Sequence, residues 1–153
     1  MNVFEEIKKL LDKNNIKYQV TEHEAVYTSE QAAIARNMPL AAGVKAMVFK
    51  TESEFIMALI AANRKIDNAK LRQQTNTSKL RFATPEELLQ LTHCTPGCVP
   101  PFPQLFHLKA FIDRSVLLNE ELAFNPGSHV HSIIMKKEDY LKIMEAKVVD
   151  VSV

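Results

Sequence analysis

The densest chemistry in the chain lies between Leu91 and His107, in the stretch LTHCTPGCVPPFPQLFH. It holds both cysteines, two of the five histidines and four of the seven prolines, so any metal, redox or loop-borne site begins here. His93, Cys94, Cys98 and His107 are the residue types of a zinc site. Structural zinc favours a C-x2-C knuckle with a second ligand pair further on. Here the spacing is C-x3-C and no second cysteine pair exists, which argues against a metal. A redox pair also prefers C-x2-C at a helix start. The remaining reading of Cys94 and Cys98 is that of small, partly buried loop residues. The prolines carry more information. Pro96, Pro100, Pro101 and Pro103 each restrict φ and remove a backbone donor, and Gly97 permits positive φ or close backbone approach. A loop this stiff keeps its carbonyls in place without a ligand, which suits contacts to a substrate amine or a water. Composition alone favours a plain rigid connector.

The elements around the loop must position it. Val3, Phe4, Ile7, Leu10 and Leu11 fall at helical spacing among charged residues. IKYQV (residues 16–20) alternates as a strand does, and TSEQAAIA opens a helix with Thr28 as cap and Gln31 three residues on. VKAMVFK (44–50) and EFIMALIAA (54–62) flank a polar turn and read as a hairpin. Asp67 caps another helix, LRFA is a short strand, and TPEELLQL combines Thr84 as cap, Pro85 in the first turn and Glu87 for a capping box. LKAFID (108–113), LAF (122–124) and HSIIM (131–135) read as strands, FNPGSH as a turn and KEDYLKIM as a last helix. Helices interspersed with hairpin-joined strands predict an α+β fold: one domain over 1–153, with a mixed sheet and helices packed on it.

The chain's 153 residues are enough to bury a core without disulfide staples. A net charge of +1 excludes a supercharged nucleic-acid binder but not a protein that grips only the end of an RNA. No segment reaches the about 18 apolar residues of a membrane span, and the N-terminus has no signal-peptide pattern. With only two cysteines, a reducing cytoplasm is the expected compartment.

Four segments occur in a fixed order: EHEAVYTSEQAA, GVKAMVFK, RFATPEELLQLTHCTPGCVPPF and FNPGSHVHSIIM. Together, over roughly residues 21–144, they resemble the YbaK/prolyl-tRNA synthetase-associated domain family, the free-standing relatives of a synthetase editing domain. The resemblance implies a single α+β domain with a mixed, strongly curved sheet. It implies hydrolysis of the ester between a wrong amino acid and the 3′-terminal adenosine of a tRNA, by a trans-acting deacylase that needs no metal or cofactor. The implied partner is the tRNA 3′ end, with an aminoacyl-tRNA synthetase as a further candidate.

The family's key lysine corresponds to Lys45, its G-x-x-x-P loop to Gly97, Cys98, Val99, Pro100 and Pro101, and its late motif to Gly127, Ser128, His129 and His131. The chemistry agrees with these positions. An aminoacyl ester is already activated, so its hydrolysis needs a positioned water, a held 3′ end and stabilisation of the oxyanion. Lys45 is expected on a phosphate or ribose oxygen, and the loop on the α-amine or the water. His131 is expected to line the amino-acid pocket, and His129, two residues away on a strand, to share its face. His93, Pro103 and His107 stand where the family commonly has glycine. Ala46 stands where subgroups that remove alanine carry a polar residue, so the amino acid removed stays open. The competing readings are a non-catalytic module of this fold that binds tRNA or a synthetase, and a metal or redox protein built on the cysteine loop.

Overall fold

Asn2 starts the first helix by accepting a hydrogen bond from Glu5 N, and Glu5 and Glu6 complement the dipole of its first turn. Helix α1 (Val3–Lys13) then buries Val3, Ile7 and Leu11, spaced one turn apart. In the computed structural model, which describes Met1–Val153, the chain continues through β1 (Tyr18–Glu22), α2 (Ser29–Arg36), β2 (Val44–Lys50), β3 (Phe55–Ala61), α3 (Asn68–Thr75), β4 (Arg81–Phe82) and α4 (Pro85–Thr92). It ends with β5 (Lys109–Asp113), β6 (Glu121–Phe124), β7 (His131–Lys136), α5 (Lys137–Ile143) and β8 (Lys147–Val149).

The expected α+β fold forms, with its strands in two hydrogen-bonded sheets. A three-stranded antiparallel sheet has the order β1-β7-β6. A five-stranded sheet has the order β4-β2-β3-β5-β8, antiparallel among its first three strands and parallel among its last three. A parallel bridge between Gly43 and Ala123 joins the two. β3 lies at the centre of the larger sheet, and its alternation feeds both cores. Met57 and Leu59 enter the large cluster that also holds Phe102, Phe124 and Tyr140. Ile56, Ala58 and Ile60 enter a smaller cluster with Phe49, Leu71 and Phe111.

Local signals landed where they were read. Thr84 and Glu87 form the full capping box with Pro85 in the first turn, and Asp67 accepts from Ala69 N and Lys70 N. β1 begins two residues later than expected. Asn15 takes a positive φ of 56° and Ile16 N closes onto Leu11 O, so pairing with β7 starts at Tyr18. β8 carried no readable signal. Its three residues form a strand beside β5 at the point where Asp113 receives Val151 N and Ser152 N.

One consequence of the topology concerns the site. β4 reaches only Phe49 and Lys50 of β2, so the second edge of β2 stays unpaired from Val44 to Met47. That open edge faces a partly enclosed cavity.

Candidate active site

The cavity has a volume of about 200 Å³. Its walls are the segment Val26–Ser29, the inner face of α2 at Ala32 and Arg36, the open edge of β2, and Gly97 and Val99 of the proline-rich loop, with Asn125 closing one side. Its lining includes two cations, Lys45 and Arg36, and no carboxylate. Gln31 shapes one wall: its backbone N–H is capped by Thr28, while its side-chain oxygen accepts from Tyr27 N at 2.9 Å rather than from the cap residue.

Lys45 stands on the open edge, and its Nζ donates to the Arg64 carbonyl at 2.9 Å. Partial burial lowers its pKa from the ordinary lysine value, Glu30 opposes that shift, and Lys65 adds to it.

Gly97 has φ +90°, the left-handed conformation that glycine tolerates best. Most loop carbonyls are committed to the fold. Cys98 O accepts from Gly127 N, Pro100 O from Phe102 N, and Pro101 O from the Tyr140 hydroxyl at 2.7 Å. The peptide groups of Gly97 and Val99 have neither a donor nor an acceptor within the protein, and these are the two loop residues that line the cavity. The loop's stiffness therefore serves two free peptide groups. Pro100, Pro101 and Cys98 are buried behind them. Cys94 and Cys98 are both 3% exposed and belong to the large core cluster. The hydrogen bond with Cys98, together with burial, pushes the Cys94 thiol up, whereas Cys94 and Thr95 hydrogen-bond the Cys98 sulfur and pull its pKa down. His93 and His107 are exposed and close helical segments at positive φ, and no three His, Cys, Asp or Glu side chains converge as metal ligands.

The late motif forms a hydrogen-bonded turn behind the loop rather than a continuous wall. Gly127, at φ +81°, has no room for a side chain, since a Cβ there would lie 2.9 Å from Val3. The expectation that His129 and His131 share a face fails because His129 precedes β7, outside the strand's alternation. His129 turns toward the cavity side. Its Nδ1 donates to Val26 O at 3.0 Å, its Nε2 meets the Thr95 hydroxyl at 3.1 Å, and its ring packs on Tyr27. His131 turns the other way, to Ser128 Oγ at 2.9 Å, Glu22 at 3.7 Å and the edge of Phe4. It does not line the cavity.

With this geometry, residues 23–143 match the family described as the aminoacyl-tRNA editing domain. The chain belongs to that family. It is 33% identical over 148 residues to the multifunctional Ser/Thr-tRNA deacylase ProXp-y of Escherichia coli K12, covering 92% of this chain and 87% of that protein. It is 34% identical over 76 residues to a proline–tRNA ligase of Staphylococcus epidermidis, covering 50% of this chain and 13% of that one. A crystal structure of a candidate trans-editing enzyme for prolyl tRNA synthetase superposes with TM-score 0.87 at 25% identity, over 100% of this chain and 98% of that one.

This editing domain has cavity residues that sequence reading missed. Arg36 ends α2, where it reads as an ordinary surface cation. Its Nε donates to Ser132 Oγ at 2.8 Å and its Nη2 to Asn125 Oδ1 at 2.6 Å. Burial lowers its pKa to about 10, so it remains a cation at neutral pH. His23 holds the far side of Ser132 at 2.8 Å, its Nδ1–H donated to Glu24 O. The available signals were His23, which matches a family position, and Asn125 within the FNPGSH turn, and nothing in the sequence linked either to Arg36.

Proposed function

We propose that this chain is a trans-acting aminoacyl-tRNA deacylase that removes a wrong amino acid from the 3′ end of a tRNA. The observation that carries the reading is a small cavity with unpaired Gly97 and Val99 peptide groups, Lys45 on an open strand edge, and no carboxylate in the lining. Small-molecule sites usually run from roughly 300 to 1,000 Å³. A cavity of about 200 Å³ suits an aminoacyl group, with the terminal ribose at its mouth.

Water adds to the ester carbonyl, the bond from that carbon to the ribose oxygen breaks, and the products are the free amino acid and a tRNA with its terminal hydroxyl restored. The Gly97 or Val99 N–H donates to the oxyanion as it forms, at no reorganisation cost because the prolines hold the loop. The free carbonyls of the same residues hold the cationic α-amine or the attacking water. Lys45 leaves its Arg64 contact for a phosphate or ribose oxygen of the terminal nucleotide. Gly127, Ser128 and His129 hold the loop and the Val26–Ser29 wall, while His131 stabilises the turn.

The test is a deacylation screen on tRNAs mischarged with Ala, Ser, Thr and Cys, the names of the E. coli relative making Ser and Thr the first choices. Hydrolysis of one species, reduced at least about 100-fold in Lys45→Ala with unfolding unchanged, is the expected result. Binding of tRNA without hydrolysis of any ester would favour a non-catalytic module instead.

A further inference from the structure

Arg36 and Lys45 both line the cavity, Arg36 from α2 and Lys45 from the open edge of β2. Lys45 bonds an exposed carbonyl, whereas Arg36 reaches Ser132, which has no solvent exposure. Arg36 takes part in none of the chain's ion pairs. Two of its three nitrogens are held, Nε by Ser132 and Nη2 by Asn125. Nη1 has no acceptor. It lies beside Gly43, where a Cβ would approach it to 3.3 Å. The guanidinium is thus fixed on one edge and free on the other, in the wall of the cavity.

We propose that Arg36 is the specificity-determining residue of this site, using its free Nη1 edge to select aminoacyl side chains that carry a hydroxyl oxygen. The inference rests on the deacylase reading and assigns the residue that reads the amino-acid side chain. A cavity of about 200 Å³ suits the aminoacyl group with the ribose outside, so the groups that can face Arg36 are the α-amine, the ester and the amino-acid side chain. The α-amine is a cation and must stay away from a guanidinium. An apolar side chain would seal the unpaired N–H groups away from water, and an unsatisfied charged donor costs more than a neutral one. A hydroxyl oxygen accepts from Nη1 and removes that cost. Sites built on such a hydrogen bond reject isosteres that lack the oxygen far more strongly than apolar pockets reject one extra methylene.

Threonine and valine are the pair to compare, since they differ by a hydroxyl for a methyl. The probes are the non-hydrolysable 3′-amino-3′-deoxyadenosine amides of L-threonine and L-valine, with affinities measured by calorimetry. Wild type is expected to bind the threonyl amide at least about 30-fold more tightly than the valyl amide. Arg36→Gln brings the two within about 3-fold, and Arg36→Lys restores part of the gap. Ser132 does not line the cavity and its hydroxyl holds Arg36 and His23, so Ser132→Ala loosens Arg36 without removing a cavity residue, and it provides the test should Arg36→Gln fail to fold. Equal affinities for the two amides in wild type would overturn the proposal. So would an unchanged preference in a folded Arg36→Gln or in Ser132→Ala. Steady-state hydrolysis of threonyl and alanyl esters separates the remaining alternative, because an equal fall in kcat for both in Arg36→Gln would assign Arg36 to the oxyanion and overturn the selective role. The amide binding also stands apart from catalysis: a threonyl preference with no ester hydrolysis would sink the deacylase and keep the role of Arg36.

Discussion

Asp113 and Arg36 are both charges taken largely out of water without an ionic partner, and the protein treats them differently. Asp113 is fully buried and saturated: one oxygen accepts from Val151 N and Ser152 N, the other from Ser115 N and the Ser152 hydroxyl. Burial works to raise its pKa, but hydrogen bonds from Ser115, Val151 and Ser152 outweigh it and hold the carboxyl below its ordinary value. Arg36 has two nitrogens held and one idle, and burial lowers its pKa. A saturated buried charge pins chain to chain and leaves nothing for a ligand. An unsaturated one at a cavity wall keeps a donor free for a ligand.

If the difference holds, variants at the two positions should separate stability from selectivity. Asp113→Ala orphans three backbone donors and frees the C-terminal segment from β5, and should cost about 3 kcal/mol of unfolding free energy. Denaturant melts would register that loss, and a change below about 1 kcal/mol would mean water replaces the carboxylate freely.

The same contrast has a pH form. The folded pKa of Asp113 is depressed, so its contribution is full above the unfolded carboxylate value of about 3.9 and is lost as pH falls through the folded value. Acid titration of wild type beside Asp113→Asn should show the difference between them shrinking below about pH 4. A gap that widens in acid would refute this sign.

Gly97→Ala tests the loop between these extremes. A Cβ there meets nothing closer than 3.8 Å, so its effect is conformational strain at φ +90°, about 1–2 kcal/mol. Turnover should fall more than stability does, because relief of the strain moves the free peptide groups; turnover equal to wild type would return the loop to a connector. The smallest stability effect belongs to Arg36→Met. It removes two hydrogen bonds along with an under-satisfied charge, and the net should lie within about 1 kcal/mol of zero, read as an unchanged or higher Tm. A loss as large as that of Asp113→Ala would make Arg36 a structural residue and erase the comparison.

Much of the frame was legible because its causes are local. Thr84, Thr28 and Asp67 cap helices by hydrogen bonds to residues two or three positions on. The hairpin of β2 and β3 followed from its alternation and turn. Lys45 and the Gly97 loop were found by resemblance, and they do meet at one cavity. What was misread involves side-chain direction or distant pairing. His129 and His131 share strand-like spacing, yet only His131 is in the strand, so they part. Pro100 and Pro101 read as exposed carbonyls, but Phe102 N and the Tyr140 hydroxyl already occupy them.

The residues by themselves determined the helix starts, the strand alternation, the stiffness of the proline-rich loop and the family, since each depends on neighbours a few positions apart or on an ordered set of motifs. Only the tertiary structure decided which loop peptides stay free, that Arg36 turns inward onto Ser132 and Asn125 across 96 and 89 positions of chain, and that Asp113 ties down the C-terminal segment. The reason is physical: a polar group's role depends on which partners remain unsatisfied after burial, and that is known only once the whole chain has packed.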